Sequence, residues 1–183
     1  MLANALERAT GTLTKELEIA PLRNLNESVF RHHFLMSAYT LHPDIECQTE
    51  WKRIDLLLQR EGQNHAIEFK FYGDGTAHNL DGSRWWRKGG PGKKNRDEFF
   101  ACVEKLANLE QRDYIRNEKA PITDKHLILG YHIDSCSSSY RTIIYPDHLR
   151  GAIEHEHDGP DILEKGVPVI STKIIKVASR PHQ

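Results

Sequence analysis

A chain of 183 residues, 38% hydrophobic and 28% charged, has the length and make-up of one globular domain and is short for two. A formal net charge of −1 excludes a global electrostatic pull on nucleic acid, so any such binding has to rest on a local patch. The apolar runs are too short to span a bilayer, and three cysteines without CxxC spacing (Cys47, Cys102, Cys136) argue for free thiols in a reducing, cytoplasmic setting over a disulfide framework.

Residues 1–20 carry charges where an export signal needs an apolar core, which argues against export. Residues 1–22 read as a helix or a loosely held arm ending at Pro21. A second helix is expected over residues 25–39. Asn24 and Glu27 have the spacing of an N-cap and its N3 partner, and Val29, Phe30, Phe34 and Met36 recur at helical intervals before His42 and Pro43 end it. Residues 47–58 alternate and turn apolar, as a strand entering a core does, and residues 65–72 (HAIEFKFY) form a second strand after a polar turn containing Gly62. Two strands joined by so short a loop form an antiparallel hairpin. Residues 73–96 make a long, Gly-rich, basic connection. A helix over 97–111 follows, with Asn95 as its cap and Glu98 as the cap's partner. Strands over 126–133 and 141–145 with a Ser-rich turn at 135–139, a short helix over 147–155 and a last strand over 167–177 complete a single mixed α/β domain, its central sheet flanked by helices.

Strand geometry puts Glu68 and Lys70 on one face and Ile67, Phe69 and Phe71 on the other. A hairpin with residues 60–63 as its loop pairs Gln59 with Asn64 and sets Asp55 opposite Glu68, with Cβ atoms about 5 Å apart. A slip of one residue separates them. Two carboxylates and an ammonium on one patch suit metal-assisted phosphoryl chemistry. Mg²⁺ takes oxygen ligands and keeps several waters, polarises a phosphoryl oxygen and activates water, while a lysine stabilises developing charge. Glu27 on the preceding helix is the natural third carboxylate, although a capping role explains it without a metal. Glu50 is a rival, but an odd offset from Asp55 along one strand puts it on the opposite face. The plain alternative for the trio is an exposed ion pair worth less than about 1 kcal/mol. Against that stands the apolar company of Ile54 and Leu56 around Asp55 and of Phe69 and Phe71 around Glu68, where a charge is costly unless paired or metal-bound.

Asp55 followed by Glu68, Phe69 and Lys70 at the end of the next strand, with a helix on each side, resembles the PD-(D/E)xK nuclease superfamily over residues 25–133. Ile54 stands where the family's name has Pro. The resemblance implies a restriction-endonuclease-like fold and Mg²⁺-dependent hydrolysis of phosphodiester bonds, most readily in DNA, by an endonuclease of restriction or DNA-processing type. Mn²⁺ is the expected substitute ion. It further implies that Glu27, Asp55 and Glu68 are metal ligands and that Asp55, Glu68 and Lys70 are catalytic, with Lys70 serving the attacking water. Many double-strand cutters act as dimers so that each site takes one strand, which leaves a homodimer open.

Arg84, Trp85, Trp86, Arg87, Lys88, Lys93, Lys94 and Arg96 lie between Asp81 and Asp97 with no acid among them. Cations there neutralise phosphates and tryptophans stack on unpaired bases or wedge a duplex. The alternative is a solvated loop whose tryptophans pack on the domain. His32 with His33, and His155 with His157 near Asp158, lack a third ligand and read as surface or cap histidines before they read as a zinc site. No GxSxG or GxxxxGK[ST] element points to a serine hydrolase or to nucleotide-triphosphate chemistry. Besides the DNA nuclease, the sequence admits a non-catalytic nucleic-acid-binding module that retains the fold, and an interaction protein with no nucleic-acid partner. Carboxylates clustered where phosphates would lie disfavour the module.

Overall fold

The computed structural model describes residues 1–19, 25–51, 53–72, 76–78, 84–86, 93–109, 122–133 and 138–178, with the backbone alone for 76–78 and 84–86. Its elements in chain order are α1 (Leu2–Glu16), α2 (Glu27–Leu41), β1 (Glu46–Trp51), β2 (Ile54–Arg60), β3 (Gln63–Tyr72), β4 (Thr76–His78), β5 (Arg84–Trp86), α3 (Lys93–Asn108), β6 (Asp124–His132), α4 (Ser138–Arg141), α5 (Asp147–Arg150), β7 (Ile153–Asp158), β8 (Ile162–Glu164) and β9 (Val167–Val177). Strands β1-β2-β3-β6-β9-β7 form one mixed sheet, with β8 also on β9, and β4 pairs with β5 in a separate ribbon. Among the described strands only β3 and β6 run parallel; α3 lies in the crossover between them.

The alternation along β3 decides the layers. Ile67, Phe69 and Phe71 pack against Phe30 and Phe34 of α2 and the apolar stripe of α1, while Ala66 and Tyr72 pack on the other side against Phe99, Val103 and Leu106 of α3. The result is an α/β/α sandwich with two cores, as the mixed α/β reading expects. Phe30 meets Phe69 edge-on at 6.2 Å between ring centroids, and Phe34 meets it at 5.3 Å.

The hairpin register expected from the sequence is found: Gln59 pairs with Asn64. Pairing continues to Arg60 and Gln63, so the turn is two residues, Glu61 (φ 52) and Gly62 (φ 74). Positive φ at both is what a type I′ turn requires, and its twist matches that of the strands.

Several elements differ from expectation, each for a physical reason. Of the two readings of the N-terminal segment, the helix is the one found and not a loose arm: α1 buries Leu2, Ala5, Leu6, Ala9 and Leu13 at helical spacing, and Thr14 Oγ1 accepts a hydrogen bond from Leu163 N–H of β8 at 3.1 Å. The expected end at Pro21 lies outside the described residues, as does the expected cap Asn24. The residue that caps α2 is Asn26, whose side chain accepts from Val29 N–H at 3.0 Å. Residues 47–58 are two strands, not one. Trp51 and Ile54 pair with each other and bury in the same core, which forces a reversal at Arg53, held at φ 66. Helix α3 is described from Lys93, which puts the expected cap Asn95 inside it. Residues 141–145 form no strand, because Tyr140 and Tyr145 turn toward Phe99 of α3 and fill that core in place of pairing. The helix expected over 147–155 stops at Arg150, and His155 and His157 lie on β7.

Phe69→Ala removes the ring that joins α2 to the sheet centre and should cost about 3–5 kcal/mol. Urea unfolding at unchanged m-value measures it. A loss under about 1 kcal/mol would mean that the layer collapses onto the gap and that Phe69 does not hold it.

Candidate active site

The β2–β3 ladder ends at Leu56 and Ile67. Past that rung the strands separate, and carboxylates take over the backbone donors. Asp55 Oδ2 accepts from Phe69 N–H at 2.8 Å, and Glu27 Oε2 accepts from Phe71 N–H at 3.1 Å. These N–H groups are two residues apart and so lie on one edge of β3, the edge that β2 has left. Glu68 Oε1 returns the interaction by accepting from Asp55 N–H at 3.2 Å. Capping by Asn26 leaves Glu27 at the first helical position with no capping duty, so its carboxylate is free to reach the sheet.

Cations close around the carboxylates. Arg31, one turn after Glu27 on α2, binds Asp55 Oδ1 at 3.0 Å and Glu50 at 3.1 Å. Glu50 was expected on the opposite face; because β1 and β2 are separate antiparallel strands, it instead shares Arg31 with Asp55. Lys105 of α3 binds Glu68 at 2.5 Å and donates to the Arg53 carbonyl at 2.8 Å. Lys70 Nζ lies 3.7 Å from Glu27. Burial at 2% exposure raises the Glu68 carboxyl above the usual range, a push that Lys105 only partly opposes. Burial lowers Lys70, but Cys102, Glu27, Asp55 and Glu68 outweigh it and its net shift is upward. Cys102 is itself held as a neutral thiol, pushed up to about 11 by burial, so at neutral pH the carboxylates are what keep Lys70 charged.

Asp55, Glu68, Lys70 and Glu27 are therefore brought to one opening in the sheet. Arg31 and Lys105 belong to it as well. Arg31 had a signal, its i+4 spacing from Glu27, whereas nothing local in the sequence marks Lys105. The all-oxygen donor set suits Mg²⁺. Its members are engaged, however: Asp55 through both oxygens and Glu68 by Lys105. Among the described residues, the group of three whose ligand atoms all lie within 4.8 Å of one another is a different one, His65, Asp124 and His126. A divalent ion at these carboxylates would have to displace Arg31 and Lys105, whose positive charge it would replace.

Of the expected nucleic-acid-binding residues, Lys93, Lys94 and Arg96 are exposed on the first turn of α3. Tyr72, two residues beyond Lys70, donates to the Asn95 carbonyl at 2.9 Å, which fastens that turn beside the end of β3. Arg84, Trp85 and Trp86 form β5, paired with β4, in place of the open loop expected. Arg87 and Lys88 lie outside the described residues. No protein-family model matches the chain, and comparison with curated proteins and with solved structures gave no match.

The raised Glu68 carboxyl sets a pH dependence. Its folded form holds the proton more tightly than its unfolded form, so its contribution to stability is complete below the ordinary Glu pKa of about 4.3 and is lost as pH rises through the raised value. Glu68→Gln escapes that loss, and Lys105, whose side chain is 36% exposed, can turn to water. The variant should melt above the parent at about pH 7.5, with the gap closing toward about pH 4. A variant less stable at neutral pH would show that Lys105 more than compensates the burial.

Proposed function

We propose that the chain is a Mg²⁺-dependent nuclease of the PD-(D/E)xK, restriction-endonuclease-like kind, hydrolysing phosphodiester bonds in DNA. The observation that carries this reading is the convergence of Glu27, Asp55, Glu68 and Lys70 on the opening where β2 leaves β3. Composition alone does not require four ionisable groups there, and a buried Glu68 with a raised carboxyl is costly to keep for stability.

Glu27, Asp55 and Glu68 would hold Mg²⁺, with Mn²⁺ as substitute. That ion supplies Lewis acidity toward a phosphoryl oxygen and lowers the pKa of water. Asp55 and Glu68, tied to each other's strand through Asp55 N–H and Phe69 N–H, present their oxygens from a rigid backbone. Lys70 is a charged donor in the resting state. It would orient the attacking water and stabilise negative charge gathering on the phosphate, without acting as a base. Lys93, Lys94 and Arg96, with Arg84 to Lys88, would grip the DNA backbone, and Trp85 and Trp86 would stack on or wedge its bases.

The ion pairs favour one second reading. Because Arg31 and Lys105 already neutralise Asp55 and Glu68, the same network is electrically complete without a metal, as in a binding module that retains the fold without cutting. Supercoiled plasmid and single-stranded DNA, incubated with Mg²⁺, with Mn²⁺ and with EDTA, separate the two. Metal-dependent cleavage should fall by about 10²-fold or more in Lys70→Ala. DNA binding by the wild type with no cutting under either ion supports the module, and neither binding nor cutting defeats both.

A further inference from the structure

At the other end of β3, on the sheet face opposite Glu68 and Lys70, parallel pairing sets His65 beside Asp124 and carries His126 of β6 next to them. The two imidazoles lie 5.9 Å apart between centroids. His65 is 8% exposed, yet neither its Nδ1 nor that of His126, both shut off from solvent, makes a hydrogen bond. Buried polar atoms are seldom left so. His65 Nδ1 stands 3.5 Å from Asp124 Oδ2, long for a hydrogen bond and close to the roughly 3.3 Å that separates two ligands of a tetrahedral zinc with bonds near 2.0 Å.

We propose that His65, Asp124 and His126 form a binding site for a zinc-class divalent ion, separate from the carboxylate opening. All three offer ligand atoms within 4.8 Å of one another, and two nitrogens with one carboxylate oxygen are donors that favour Zn²⁺ or Co²⁺ over Mg²⁺. Lys176 holds the other Asp124 oxygen at 2.9 Å and is itself paired with Glu154 at 3.2 Å, so the carboxylate is aimed and the ammonium charge offset. The site opens on a cavity of about 490 Å³ that Met1, His155 and His157 also line. Three protein ligands facing a cavity leave the fourth position to water, the arrangement of an open zinc site as opposed to a closed structural one. His155 and His157 are exposed and stack on each other at 6.5 Å, and they are not needed to complete the donor set.

The test is metal content of the untagged full chain after loading with Zn²⁺ or Co²⁺ and removal of free ion. One equivalent per chain is expected, with visible Co²⁺ absorption of a tetrahedral N/O site and a Tm raised by either ion. His126→Ala and, as a milder change that leaves the histidines in place, Asp124→Asn should each weaken binding more than tenfold. Their far-UV circular dichroism reports whether they fold. The double change of His155 and His157 to Ala, and separately Asp55→Asn, should leave binding intact. No retained ion in the wild type overturns the proposal. So does binding that survives both Asp124→Asn and His126→Ala, or that disappears with His155 and His157 or with Asp55.

Discussion

The separation of β2 from β3 beyond Leu56 and Ile67 is the constraint on which the candidate site depends. A strand that loses its neighbour exposes backbone N–H groups, and burying them unpaired costs on the order of 1–3 kcal/mol each. Asp55 and Glu27 meet that demand at Phe69 and Phe71. Once carboxylates are drawn in to satisfy the backbone, the low-polarity surroundings demand cations, and Arg31 and Lys105 arrive from the helices on either side. The helices are thus linked to the sheet centre by charge as well as by packing, and a loss on one side leaves an uncompensated charge on the other.

This chain of consequences leaves the opening adaptable. Arg31 divides itself between Asp55 and Glu50, and Lys105 between Glu68 and the Arg53 carbonyl, so each cation keeps a second partner if it leaves the first. A ligand that brings positive charge can replace them without stranding either one. Asp55 and Glu68 remain anchored meanwhile by backbone donors that do not move with the cations. Such an arrangement holds the carboxylate oxygens in place while the charge beside them changes, as the proposed function requires.

Legibility in the sequence followed the range of the interactions. The register of β2 on β3 was readable because alternation and the Glu61–Gly62 turn agree, and with the register came Asp55, Glu68 and Lys70. The reversal at Arg53 was not readable: a non-glycine residue adopts positive φ there with no turn signal, under pressure from Trp51 and Ile54 seeking the same core. Two asparagines two residues apart made the start of α2 ambiguous: the spacing to Glu27 pointed to Asn24 as the cap, whereas Asn26 is the residue that accepts from Val29 N–H. The segment 141–145 reads as a strand by its β-branched residues and Tyr145, yet Tyr145, like Tyr140 just before it, buries beside α3 without pairing. Lys105 and the His65, Asp124 and His126 group were out of reach, because crossovers distant in sequence bring them in.

The parity of β3 keeps the two candidate centres apart. His65 shares a face with Ile67, Phe69 and Phe71, whereas Glu68 and Lys70 share the other, so no shift of side chains can merge the donor sets across the intervening backbone. The donors differ in kind as well: oxygen alone at one end, nitrogen with a single oxygen at the other. Zinc-class ions prefer imidazole and would be drawn away from the carboxylates, leaving those to a hard ion such as Mg²⁺ that competes poorly for nitrogen. The two proposed cation sites would then differ in selectivity, each defined by which face of β3 its residues occupy and which neighbour, β2 or β6, stands beside it.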